Sequence, residues 1–378
     1  MNSFVKISLS LILVAGAIAG WRFFLPDDTV TAEGSLISML SEVADENYAR
    51  ATEPNNIQFP RDLGPHEDYQ VEWWYYTGIL ESDNGHIFGY QLTFFRSSLT
   101  PPDEAEFDNR WRTNQAYQVH FTITDVANDQ FYPHERVSRG TVGLAGAQAD
   151  PYRVWLENWF AEEQPDGTVR LYAESDAVML DITLTETRPP VLHGDRGLSV
   201  KGEGFGNASY YYSLIHQQSE GTVRVGEEQF AVNGLSWKDH EYSTSALDPG
   251  ATGWDWFSIH LDDGSALMFF EIREENGRIN PFSSGSLIAP DGSVTRLSPE
   301  DWTVTITDEW ESPRSNSVYP VGWEISIPTF DIDISGQAFV NDQELNVTTT
   351  YWEGAVEWQG TKDGDEINGR GYIEMTGR

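Results

Sequence analysis

Three observations predict an all-β chain of antiparallel barrels or sandwiches. Apolar residues fall at every second position in many short runs, tight-turn dipeptides separate those runs, and almost nothing between them has helical spacing. A wound α/β sheet would interleave helices with its strands, and closed barrels also remove exposed strand edges.

The chain opens on Lys6 followed by an almost wholly apolar stretch from Ile7 to Ala19, with small residues at Ala17-Ile18-Ala19, the pattern of an export signal. Trp21, Phe23, Phe24 and Leu25 prolong the apolar character past Gly20, so the first 25 residues read either as a removable signal or as an N-terminal anchor. Leu36, Met39, Leu40 and Val43 then recur at helical spacing behind Ser35, predicting one short amphipathic helix between Ser35 and Arg50.

From about Tyr69 the period changes to two. Phe88, Tyr90, Leu92 and Phe94 form one apolar set, Tyr117, Val119, Phe121 and Ile123 a second, and Val178, Leu180, Ile182 and Leu184 a third. Later, Phe257, Ile259 and Leu261 repeat the pattern, as do Ile325 with Ile327 and Ile332 with Ile334. Asn84-Gly85, Asp166-Gly167, Asp263-Gly264, Asn276-Gly277, Asp291-Gly292 and Asp363-Gly364 are hairpin formers, because these residues tolerate positive φ. A less regular stretch from about Gly221 to Pro249 separates two β-rich halves.

Composition narrows the function. With 60 acidic and 23 basic residues the net charge is -37, which repels phosphate backbones and makes nucleic acid an unsuitable partner. The absence of cysteine excludes disulfides, thiolate metal sites and a cysteine nucleophile. The 14 Trp supply ring surface for core and ligand pockets.

Three clusters carry the candidate chemistry. In Glu72-Trp73-Trp74-Tyr75-Tyr76, strand geometry puts Glu72, Trp74 and Tyr76 on one face. Glu72 is then either a desolvated proton donor or a wall anchor paired with an arginine such as Arg96. Around Trp237-Lys238-Asp239-His240-Glu241-Tyr242 and Trp254-Asp255-Trp256, acids, a histidine and rings interleave. Asp239 and His240 can form an acid/base pair, and Asp255 is either a desolvated acid or a partner for an indole N–H. Loop carboxylates that cap turns and orient tryptophans give the same pattern without chemistry. The third cluster, Tyr351-Trp352-Glu353 to Trp358 with Gly371-Tyr372-Ile373-Glu374, reads as two closing strands with rings inward. Asp239, His240 and Glu241 are adjacent and so seldom converge on one ion, and no HExxH occurs; neither a metal nor a cofactor is expected. No Gly-x-Ser-x-Gly elbow or phosphate loop is present either.

The segments Glu72 to Gly78, Gly89 to Arg96, Trp237 to Tyr242 and Gly253 to Phe257, with the Tyr351 and Gly371 motifs, resemble the carotenoid 1,2-hydratase / AttH-like family over roughly residues 57 to 377. The likeness is to the exported branch, sometimes called predicted secreted hydrolases. It implies two tandem lipocalin-like barrels, divided here as 57–240 and 241–378 after an export segment (1–25) and a lead-in (26–56). It also implies protonation of an isolated alkene by a carboxylic acid, with water capturing the cation. Asp239 and Asp255 match the region of that acid, with His240 and Glu72 as candidate assistants. Trp73, Trp74, Tyr76, Trp237, Tyr242, Trp254 and Trp256 are the candidate ligand-binding rings. Three readings follow: an exported enzyme acting on a hydrophobic molecule or lipid, a carrier without chemistry, or an accessory protein of an envelope ABC transporter.

Overall fold

A computed structural model describes residues 47–102, 111–244, 247–248 and 250–378. The expected export segment lies outside the described residues, as does the expected helix apart from residues 47–50, which are not helical. Among the described residues there is no α-helix, and every pairing between strands is antiparallel.

The first sheet is built from β1 (Val71–Ser82), β2 (Ile87–Ser98), β3 (Gln115–Asp125), β4 (Gln130–Arg139), β5 (Ala145–Ala149), β6 (Tyr152–Leu156) and β7 (Trp159–Glu163). It continues with β8 (Val169–Glu174), β9 (Val178–Glu186), β10 (Val191–Leu192), β11 (Leu198–Val200), β12 (Ala208–Val225) and β13 (Glu228–Ser243). Its order is β4-β3-β2-β1-β13-β12-β9-β8-β7-β6-β5, with β10 and β11 added on β12. The sheet curls nearly into a barrel. Arg136 on β4 closes the seam, sitting 4.1 Å from the Trp159 ring and 3.3 Å from the Glu157 carboxylate.

The second sheet holds β14 (Ala251–Leu261), β15 (Ala266–Glu274), β16 (Ser284–Ile288), β17 (Val294–Leu297), β18 (Thr303–Glu311) and β19 (Val318–Ile327). It is completed by β20 (Ile332–Ala338), β21 (Glu344–Asn346), β22 (Thr350–Lys362) and β23 (Asp365–Met375). Its order is β17-β16-β15-β14-β23-β22-β20-β19-β18, with β21 on β22, and it forms a half-barrel.

The period-two sets mark the cores. Phe88, Tyr90, Leu92 and Phe94 pack with Val119, Phe121, Leu180 and Ile182 inside the first sheet. Phe257, Ile259, Trp323, Ile334, Trp352 and Trp358 fill the second. All six glycines of the hairpin dipeptides have positive φ, from 78° at Gly277 to 84° at Gly167, Gly264 and Gly292. The stretch expected to be irregular differs from the structure, since residues 221–225 and 228–243 lie in β12 and β13. These strands are covered on both faces near Asp239, so polar and apolar residues do not alternate and the period-two signal disappears.

The sheets meet through β1, β13, β14, β22 and β23. A third apolar cluster drawn from both sheets includes Tyr75, Tyr211, Trp237, Trp256, Met268 and Tyr372. Gly89 admits this contact: a Cβ there would lie 2.7 Å from the Cβ of Ala355. Polar links cross as well, from Thr124 to Gln343 (2.7 Å) and between His120 and Tyr351 (2.6 Å).

Candidate active site

The alternation of β1 and β13 divides the candidate residues between two faces. In their antiparallel register Tyr75 lies opposite Asp239 and Trp73 opposite Glu241, while Glu72 is opposite Tyr242 and Trp74 opposite His240. The odd-numbered set faces the second sheet and the even-numbered set faces the interior of the first.

On the face toward the second sheet is a cavity bordered by Trp73, Tyr75, Tyr211, Asp239, Trp254 and Trp256, with Phe270 and Glu374 beyond. The Asp239 carboxylate is buried there. It accepts hydrogen bonds from Trp237 Nε1 (2.6 Å), from the Tyr211 hydroxyl (2.5 Å) and from Ser213 Oγ. Tyr211 accepts in turn from Trp256 Nε1 (3.0 Å), which fixes the ring wall to the acid. Burial pushes the Asp239 carboxyl up to about 7, against the pull of its three donors, and the nearby Glu241 charge adds to the rise. The Lys201 ammonium, which also borders the cavity, is engaged by Glu241 at 3.1 Å and lies 3.9 Å from the Phe270 ring.

Glu72 and His240 occupy the opposite face. Glu72 Oε2 accepts from Arg96 Nε (2.8 Å), and Oε1 is 2.7 Å from His66 Nδ1 and 2.8 Å from His240 Nε2. Burial alone would raise this carboxyl, but the Arg96 guanidinium and the two imidazoles outweigh it and hold Glu72 well below the usual carboxylate range. Glu72 is among the residues around the cavity, yet its carboxylate is committed to this ion network. Burial depresses His240 to about 4, while Glu72 and Asp62 overcome burial at His66 and raise it. Ligand-type atoms of His66, Glu72 and His240 lie within 4.8 Å of one another. The contacts between them are hydrogen bonds to one carboxylate oxygen, and Arg96 already supplies the cation.

Asp255 also leaves the site. It projects away from its neighbours Trp254 and Trp256 and is held by Arg378 and, at 3.2 Å, by Arg273 Nε. Trp74 and Tyr76 belong to the core of the first sheet, and Tyr242 stacks on His66 with centroids 3.5 Å apart. Of the sequence candidates, the cavity thus gathers Asp239, Trp73, Trp254 and Trp256, with Trp237 behind the acid. Sequence reasoning missed Tyr75, Tyr211, Glu353 and Glu374. For the two glutamates a signal existed: each interrupts a local apolar run, Glu353 between Tyr351-Trp352 and Ala355-Val356, and Glu374 between Tyr372-Ile373 and Met375.

Two curled antiparallel sheets with a buried, ring-walled carboxyl between them define a tandem-barrel protein of the lipocalin-like class. The sequence model described as AttH-like matches residues 50–378, and the chain belongs to that family. A solved Nitrosomonas europaea structure described as an AttH aligns over 87% of this chain and 99% of its own, at 33% identity and a TM-score of 0.76. Kievitone hydratase from Nectria haematococca shares the fold, with a TM-score of 0.67 at 17% identity over 89% of this chain and 98% of that one. In sequence, kievitone hydratase from Fusarium solani subsp. phaseoli is 26% identical over 54% of this chain and 59% of the relative. Dehydratase asqC from Emericella nidulans is 25% identical over 55% of this chain and 61% of the relative. The chain therefore spans about three fifths of the length of these two relatives.

Proposed function

We propose that the chain is a hydro-lyase, adding water to a carbon–carbon double bond or removing it, and that it acts on a small apolar molecule held between the two sheets. The observation that carries this reading is the Asp239 carboxyl, buried among rings, without a paired cation among the described residues and raised to about 7. An acid that stays protonated near neutral pH can deliver a proton to an alkene, and ring faces such as Trp256 and Tyr75 stabilise the positive charge that follows. In the reverse direction the Asp239 carboxylate takes that proton back. The named activities of the two sequence relatives, a hydratase and a dehydratase, support the same reaction class.

The test uses kievitone as the first probe, with water addition followed by mass spectrometry. Wild type should convert it, and Asp239→Asn should lose roughly 100-fold or more in turnover, the usual contribution of a general acid. Conversion by Asp239→Asn at the wild-type rate sinks the assignment, and equal binding without conversion by either protein favours a carrier. We further propose that the chain is exported, periplasmic or anchored to the inner membrane, a reading supported by the apolar stretch from Ile7 to Ala19 and tested by fractionation of cells producing the full chain. Association with an envelope ABC transporter stands on the family resemblance alone, and co-purification from membranes tests it.

A further inference from the structure

Across the cavity from Asp239, the second sheet carries two carboxylates side by side. Glu353 on β22 and Glu374 on β23 are register partners, and both project toward the first sheet, because their strand neighbours Trp352, Ile373 and Met375 fill the core behind them. Like charges directly opposite each other on a sheet repel, and here both are buried. Among the described residues, the groups that face them supply hydrogen bonds but no cation. The Tyr75 hydroxyl on β1 donates to Glu353 Oε2 (2.8 Å), and Trp254 Nε1 on β14 donates to Glu374 Oε1 (2.5 Å). Tyr351, Tyr372 and Glu241 are further titratable groups near the pair among the described residues, and Lys201, on the cavity border, is engaged by Glu241. Among the described residues Glu353 Oε1 has no hydrogen-bond partner, and the carboxyl group next to that of Glu353 is Glu374. Two ionised carboxylates cannot persist in this setting, whereas two that share one proton can.

We propose that Glu353 and Glu374 hold one proton in common and that Glu374, the member bordering the cavity, is the second catalytic residue of the site, accepting the proton of the attacking water. This rests on the hydro-lyase reading above and completes its proton inventory. Asp239 gives its proton to one alkene carbon as the π bond breaks and a C–H bond forms. Water attacks the other carbon, the C–O bond forms, and the proton lost by that water passes to Glu374. Asp239 ends ionised and the glutamate pair doubly protonated, and solvent returns one proton between them. The assignment of Glu353 as the proton holder agrees with the direction of its titration. Burial and the Glu374 charge push Glu353 well above the carboxylate range, while Glu374 is raised by burial to about 7.

The experiment has two arms, both on the full chain. Difference infrared spectroscopy at pH 8 should show a protonated carboxyl band in wild type and in Asp239→Asn that is absent in Glu353→Gln. In the kievitone assay, Glu374→Gln should lower kcat roughly 100-fold with KM little changed. It should also erase the acid limb of the pH profile while leaving the alkaline limb set by Asp239, and Glu374→Asp should restore part of the rate. Retention of the infrared band in Glu353→Gln overturns the shared proton. A Glu374→Gln rate within twofold of wild type, with Asp239→Asn inactive, overturns the role of Glu374 and leaves the hydro-lyase reading standing. A wild type that leaves kievitone unchanged sinks the reaction reading and with it Glu374 as base, while the infrared arm still decides the proton-sharing pair.

Discussion

Glu72 and Asp239 are buried carboxylates on neighbouring strands of one sheet, and they hold opposite charge states. Glu72 faces the interior of the first barrel, where Arg96, His66 and His240 keep it ionised. Asp239 faces the second sheet, where indole, phenol and hydroxyl donors surround it with no paired cation among the described residues, and burial keeps it protonated to about pH 7. Residue type and depth of burial are alike, so the difference comes from the charges that each side of the strand admits. One face holds a charge anchored in an ion network, and the other holds the acid proposed as the proton donor.

Breaking the anchor should give the largest effect. Arg96 also donates to the Gln115 side chain and to the backbone oxygens of His66 and Tyr69, so it ties the loop before β1 to the barrel wall. Arg96→Met leaves Glu72 buried without its guanidinium and is expected to cost about 3–5 kcal/mol in chemical denaturation. Adding Glu72→Leu to that variant should recover part of the loss, because the stranded charge is then gone.

The reactive side should respond in the opposite sense. Below about pH 4 Asp239 is protonated in both folded and unfolded chains. As pH rises the unfolded chain ionises first, while the folded protein holds the proton to about 7, so this group contributes stability that is lost between those values. Asp239→Asn should therefore be more stable than wild type above pH 7, by up to roughly 4 kcal/mol, with the gap vanishing near pH 4. Denaturation series across that range measure it. Glu72 gives the reverse dependence, since its contribution is present above about pH 4.5 and is lost only as pH falls through its depressed folded value.

A smaller change sharpens the contrast. Tyr211→Phe removes one of three donors to Asp239 and the acceptor for Trp256 Nε1. It should lower turnover by about tenfold, near 1.4 kcal/mol. It should also move the alkaline limb of the pH profile upward, because the carboxylate form has lost support.

Much of this architecture was legible in the chain. The period-two runs and the six glycine turns gave the strands and hairpins, because strand geometry and positive φ leave local marks. Asp239 and the tryptophans around it were also visible as an acid among rings. What the sequence did not disclose was the sidedness of β1 and β13. His240 is one residue from Asp239 and yet serves Glu72, and Asp255 sits between two cavity tryptophans and yet pairs with Arg273 and Arg378. A strand turns successive side chains to opposite faces, and when both faces are buried their polarity does not reveal which is which. Glu353 and Glu374 each leave a mark as an acid in an apolar run, but their partnership is made by register between strands and leaves none.

The most direct test is a carbon-13 NMR titration of the Asp239 side-chain carboxyl, assigned by its disappearance in Asp239→Asn. A midpoint near 7 is the result expected for a buried acid without a cation. A midpoint near 4, the ordinary value for an exposed aspartate, would show that the cavity does not keep this group protonated and would contradict the proposed role of Asp239.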